Sequence, residues 1–267
     1  MARSATAERQ LEGLRAALER HGQSERAARE ARYLASDLEF LGVSLPTIRR
    51  EAQAFARSRP ELDRAGLRAL AEAAWASRVH ELRSVAIGIL ERCRDTLTAA
   101  DAAWLMRLVE HSNTWAHVDW LSIKVIGALT ARHGALAASL ELWARHGNFW
   151  VRRAALLSFH DALRAGGGDF EHFARLAVPM LGEREFFIRK AIGWVLRSVA
   201  HARPELVAGF VGLHVAALSG LTFREATRRL PTALQKRLEA ERARSLAGAR
   251  STGVPIRAKE KRRRAPA

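Results

Sequence analysis

"FIRKAIGWVLRSVA", residues 187–200, carries apolar side chains at Ile188, Ala191, Ile192, Val195 and Val199. This is the spacing of one buried helix face, with Arg189, Lys190, Arg197 and Ser198 set on the others. The same periodicity runs through "AERQLEGLRAALERH", "LRALAEAAWA" and "LRSVAIGILERCR". No stretch alternates with period two between turn residues, so strands are not expected. The breaks are short: Gly42, Pro46, Pro60, Gly134, Gly147, Gly166 to Gly168, Pro179, Gly182 and Pro204. An all-α array of helices joined by tight turns follows.

Stacking "ELRSVAIGIL", "HVDWLSIKVI", "VRRAALLSF", "FIRKAIGWVL" and "FREATRRL" places Ser84, Asp119, Arg153, Lys190 and Glu225 in one column, at separations of 35, 34, 37 and 35 residues. A period of this length marks a helical-repeat solenoid, in which each helix pair buries itself against its neighbours. Residues of one column then become spatial neighbours along a concave face. The column is read as a stripe of charge and not as a buried core column. Trp115 precedes Asp119 by one turn, Trp150 precedes Arg153, and Trp194 follows Lys190, so each indole shares a face with a charged residue.

Charge bounds the partner. Of 267 residues, 44 are Lys or Arg and 28 Asp or Glu, a net charge of +16. The cations are nearly all arginine. A basic surface gains free energy by releasing the counterions of a phosphate backbone, which points to nucleic acid. Cys93 is the single cysteine, which excludes an intramolecular disulfide and a multi-thiolate metal site within one chain. The chain shows no apolar run of membrane-spanning length and no secretory h-region, so a cytoplasmic, nucleoid-associated protein without a membrane partner is expected. From 241 to 267 the apolar period decays, and this tail is read as basic and disordered after a repeat domain over 1–240.

Catalytic signatures of the common kinds are missing: no P-loop, no G-x-G-x-x-G, no H-E-x-x-H, no zinc-deaminase motif and no nucleophile elbow. His111, His117 and His201 are read as surface or core residues, with no metal site and no cofactor expected. One acid stands out. Asp119 lies in the apolar context of "TWAHVDWLSIKVIGAL", residues 114–129, where a carboxylate needs a cation, either a neighbouring side chain such as Arg153 or a charged ligand.

Five segments resemble the bacterial DNA alkylation repair family of HEAT-like-repeat alkylpurine DNA glycosylases, the AlkD type. They are "ARYLASDLEFLGVSLPTIRR" (31–50), "NTWAHVDWL" (113–121), "NFWVRRAALLSF" (148–159), "EREFFIRKAIGWVLRSVA" (183–200) and "LTFREATRRL" (221–230). The resemblance implies a superhelical solenoid of HEAT-like repeats with a concave basic face. It implies hydrolysis of the N-glycosidic bond of cationic N3- and N7-alkylated purines, such as 3-methyladenine and 7-methylguanine, in double-stranded DNA, by a monomer.

Carried over position by position, the resemblance makes Asp119 the active-site acid, Trp115 and Trp194 its aromatic partners, and Arg153 a phosphate clamp. Tyr33 falls near the DNA, and Arg152, Arg189 and Lys190 become further backbone contacts. Trp75, Trp104, Trp143 and Trp150 are read as packing. The chain departs from a W-W-D-x-V-D pattern, reading Thr114-Trp115-Ala116-His117-Val118-Asp119. A HEAT-like protein that binds DNA structure without excising a base, and a protein-binding scaffold, are the competing readings.

Overall fold

The computed structural model describes residues 2–251, with side chains over 5–248. The architecture is all-α, as the helical periodicity requires, and no strand forms among the described residues, where Glu39 and Val79 make a single parallel bridge. No described helix is long and apolar enough to cross a membrane. The chain divides into two compact units, the first ending at Ala137 and the second beginning at Ala138.

The first unit contains α1 (Ala2–Glu19), α2 (Ser24–Leu34), α3 (Leu45–Arg57), α4 (Arg64–Ala76), α5 (His80–Arg92), α6 (Ala102–Glu110), α7 (Trp115–Trp120), a π-helical segment (Leu121–Ile126) and α8 (Gly127–Arg132). Its helices begin where polar caps permit. Ser44 accepts the N–H of Thr47 ahead of α3, which has Pro46 in its first turn, and Asp63 accepts that of Gly66 at 2.7 Å ahead of α4. At the centre is α5, buried at every residue from His80 to Leu90, against which α3, α4 and the π segment pack.

Burying α5 on all sides forces polar groups inside, where Glu81 is fully satisfied while His80 Nδ1 and Arg83 Nε are buried without a hydrogen-bond partner. Glu81 reaches the loop before α3, where its carboxylate accepts the N–H groups of Leu41 (2.9 Å), Gly42 (2.7 Å) and Val43 (3.1 Å). Gly42 has φ +75°, and a Cβ there would stand 2.0 Å from the Gln23 carbonyl oxygen. The break at Gly42 is thus a position where only glycine fits.

In the second unit are α9, which starts at the boundary (Ala137–Trp143), α10 (Phe149–Leu157), α11 (His160–Arg164), α12 (Phe170–Met180), α13 (Phe186–Val199), α14 (Pro204–Leu213), α15 (Gly220–Thr227) and α16 (Thr232–Ser251). The core-facing side chains of α13 (Ile188, Ala191, Ile192, Val195, Leu196 and Val199) are almost wholly removed from water, against α10, α11, α14 and α15. Helices α13 and α15 come so close that a Cβ at Gly193 would meet the Glu225 Cβ at 2.6 Å.

Helix α16 corrects the sequence-based boundary at 240. It runs to Ser251, with Leu238 fully buried and Arg242 donating to the carbonyl of Leu218 at 3.1 Å. Its composition explains the extension: Ala, Leu, Arg, Glu and Lys are strong helix formers, so intrinsic propensity continues the helix after the apolar period fades. The rest of the expected tail, 252–267, lies outside the described residues.

Candidate functional site

In the first unit the expected acid lies one helical turn after Trp115, whereas Trp194 belongs to the second unit. Thr114 is the N-cap of α7, extended at φ −144° and ψ 142°, and its hydroxyl accepts the N–H of Ala116. Trp115 opens the helix, half-buried. Asp119, one turn further on the same face, is only 8% exposed. Tyr33, at the end of α2, is 71% exposed and turns the edge of its ring to Trp115, with centroids 5.8 Å apart and an interplanar angle of 86°.

A polar clamp that sequence reading missed holds the two aromatic side chains in register. Asn113 donates to Asp37 and pairs with Ser36 at 3.3 Å, while Arg78 donates to Asp37 at 2.6 Å. The end of α2 is thereby fastened to the start of α7. Hydrogen bonding and charge from Arg78 hold the Asp37 carboxyl below its ordinary value. None of these residues has a motif; only a pairing between distant segments reveals them.

The buried His80 and His117 form a stack of rings with the half-buried Phe40. Phe40 stacks on His80 at 4.6 Å and His80 on His117 at 4.5 Å. His117 Nε2 lies 3.0 Å from the His80 carbonyl oxygen, which assigns its proton to Nε2, and 3.1 Å from Ser84 Oγ. Burial lowers His80 to about 4 and His117 well below the ordinary histidine value, with the nearby Arg83 charge adding to both. Both rings are neutral at pH 7. His117 is core, and His111 and His201 are on the surface.

In the second unit the expected phosphate contacts have other partners. The Arg153 side chain is 3% exposed, donates to the Phe187 carbonyl oxygen and lies over the Phe187 ring at 5.7 Å. Arg152 forks onto Glu183 at 3.0 and 2.9 Å and also donates to the carbonyls of His146 and Gly147. Arg189 donates to the Glu183 carbonyl at 2.8 Å. Lys190 and Arg197 both donate to Glu225, whose carboxyl burial alone would raise but which these cations hold below its usual value.

The column from Ser84 to Glu225 is therefore corrected from an open stripe of charge. Ser84, Asp119, Arg153 and Glu225 are buried, and Lys190 is half-buried. Equivalent helices within each unit pack directly on one another, so column residues meet neighbours: Ser84 meets His117, and Lys190 meets Glu225. Trp194 is half-buried with the His160 ring edge-on at 5.1 Å, and Ser198 pairs with His160 at 2.9 Å. Trp75, Trp104 and Trp143 are core, while Trp150 is half-buried in a cluster with Phe149 and Phe187. Among the described residues no group of three or more His, Cys, Asp or Glu is placed to hold a metal ion.

The model of the DNA alkylation repair enzyme family matches residues 14–230. The chain belongs to that family.

The structure of this DNA alkylation repair enzyme is similar to that of a "Predicted DNA alkylation repair enzyme from Enterococcus faecalis", at a TM-score of 0.70 and 24% identity, covering 79% of this chain and 98% of that one. That likeness supports the fold. A second structure, of smu.31 from Streptococcus mutans UA159, aligns at a TM-score of 0.49 and 15% identity over 82% of this chain and 96% of its own. No curated protein matches the sequence. Of the two departures from the pattern, Thr114 serves as the cap of α7, and nothing in the structure explains Ala116; His117, at the variable position, fills a core place between Ser84 and His80.

Proposed function

We propose that this DNA repair enzyme is a monofunctional glycosylase that hydrolyses the N-glycosidic bond of cationic N3- and N7-alkylated purines in duplex DNA. The observation that carries the reading is the turn of α7 that sets Asp119 beside Trp115, with the exposed Tyr33 ring against that indole.

Alkylation at N3 or N7 gives the purine a positive charge, so the base departs without a general acid. The C1′–N9 bond breaks, its electron pair neutralises the purine, and cationic character builds on the deoxyribose. A fixed carboxylate stabilises that charge. Opposite unit charges about 4 Å apart at an effective dielectric of about 20 attract by roughly 4 kcal/mol. Confined to the transition state, that is worth about a thousandfold in rate. Water then adds at C1′ and its proton passes to Asp119 or to solvent, leaving an abasic site and the free base. Trp115 offers a π face to the cationic lesion and sugar.

Arg153 holds a phosphate in this reading, and Arg152, Arg189 and Lys190 contribute through the network that fixes their helices. The enzyme acts as a monomer in the cytoplasm. The test is chromatographic detection of free base from methylated duplex DNA by the wild type and by Asp119→Asn. Release of 7-methylguanine or 3-methyladenine that collapses in the variant, with DNA binding intact, supports the reading. DNA binding without release by the wild type moves the protein to the non-catalytic readers of DNA structure.

A further inference from the structure

The first unit holds a cavity of about 230 Å³ lined by Arg49 of α3, Gly88, Glu91 and Arg92 of α5, and Trp120 and Lys124 on the continuous helix that begins with α7. None of these residues belongs to the column or to the Trp115 face. Three cations from three separate chain segments surround it, against the one carboxylate of Glu91. That carboxylate is already engaged within the wall, where it accepts the indole N–H of Trp120 at 2.7 Å.

The wall itself is fixed. The Arg49 guanidinium lies over the Trp120 ring, 5.1 Å from its centroid, so that face of the indole is not open to a stacking base. Gly88 leaves room for the ring edge, since a Cβ there would stand 3.4 Å from Trp120 and 2.8 Å from the Ala52 Cβ. With the indole pinned, the exposed Arg92 places positive charge at the rim. Arg92 is exposed, and its side chain takes part in no hydrogen bond or ion pair among the described residues. In this it differs from Arg64, Arg78, Arg132, Arg152 and Arg197, each of which is paired with a carboxylate.

We propose that this cavity is a phosphate-binding site, in which Arg92 and Lys124, with Arg49 held over Trp120, grip one phosphate group. Resting on the reading of duplex DNA as substrate, the phosphate is a backbone phosphodiester, bound by position and without base preference. The preceding turn carries Asp119, so a phosphate here fixes where the strand lies relative to the acid. Glu91 opposes the anion and limits how tightly it is held.

The test measures binding of a fluorescein-labelled, undamaged duplex by anisotropy across a range of KCl concentrations, for the wild type, Arg92→Ala, Lys124→Ala and Glu91→Gln, with circular dichroism confirming the fold. Loss of one phosphate contact reduces the slope of log affinity against log salt by about one and weakens binding roughly tenfold at low salt. Glu91→Gln keeps an acceptor for Trp120 and strengthens binding. Phosphorus NMR of inorganic phosphate with the wild type and Arg92→Ala separates the two sources of the group. Broadening by the wild type alone, with unchanged DNA slopes, supports an anion site and overturns its assignment to DNA. Unchanged slopes and unchanged phosphate lines overturn the site itself. Undamaged DNA needs no excision, so a failure of the glycosylase reading, seen as no base release from methylated DNA, is scored separately.

Discussion

Tyr33 stands edge-on to Trp115 across a gap that the Asn113–Asp37–Arg78 clamp maintains, with one ring largely in water and the other half-sheltered. An exposed tyrosine contributes little to folding, so its placement is a surface property. Tyr33→Ala is expected to cost under about 1 kcal/mol of stability, the scale of one lost edge-to-face pair. Base release and DNA affinity are expected to fall by about three- to tenfold, the same interaction energy directed at the ligand. Parallel urea denaturation and base-release assays check both values.

Asp119→Asn keeps the volume and loses the charge. Base release from methylated duplex is expected to fall by about a hundred- to a thousandfold, following the transition-state electrostatics. The affinity for undamaged duplex should stay level or rise, because a negative charge has left a DNA-binding surface. A variant that releases base at the wild-type rate would remove Asp119 from the chemistry.

Acid is expected to destabilise the fold through the paired histidines. His80 titrates near 4 in the folded protein against an ordinary 6.5. Between those values the unfolded chain takes up a proton that the native ring refuses, so stability is unaffected above pH 6.5 and falls as pH drops towards 4. The loss is about 1.4 kcal/mol per pH unit for one such group, reaching about 3 kcal/mol for His80, and His117 adds in the same direction. Urea unfolding at pH 7 and pH 5 measures the difference. His80→Phe, which keeps the stack on Phe40, should flatten the dependence.

Arg153→Ala combines two losses. Removing a buried guanidinium that donates to the Phe187 carbonyl is expected to cost about 2 to 4 kcal/mol of stability. If Arg153 also meets a phosphate, the salt dependence of DNA binding weakens by about one unit of slope. Denaturation combined with salt-dependent anisotropy on the same preparation separates them, since a purely architectural role leaves the slope untouched.

Gly193→Ala is a packing test independent of function. The added methyl would overlap the Glu225 side chain, and overpacking of this kind costs about 1 to 3 kcal/mol. A thermal midpoint equal to that of the wild type would mean that α13 and α15 separate more easily than their close approach implies.

The helical class was legible because apolar spacing records which face of a helix is buried, and α13 shows it most clearly. The burial of Asp119 was legible because its neighbours in the sequence are apolar. What the column residues meet was not. Lys190 and Glu225 are in neighbouring rows, and periodicity alone leaves open whether they face water or each other. The clamp joining Asp37 to Asn113 depends on partners far apart in the chain and has no local signature. The end of α16 escapes for a different reason: apolar period marks only where a helix is packed, whereas backbone propensity carries this one on to Ser251.

The π-helical segment from Leu121 to Ile126 lies between Asp119 and α8 in one uninterrupted rod. A π turn holds more residues than an α turn, so the rod behaves as a shaft with a spliced-in spacer. Within the first unit, the splice sets the phase of α8 against α7. Deleting a single residue from Leu121–Ile126 with a return to ordinary winding would leave α8 close to its present phase, because a π turn takes about one residue more than an α turn. A deletion from α7 itself would turn α8 by about 100° relative to the residues before it. The segment therefore absorbs one residue of length change that the α-helical turns of the same rod would have to express as a change of phase.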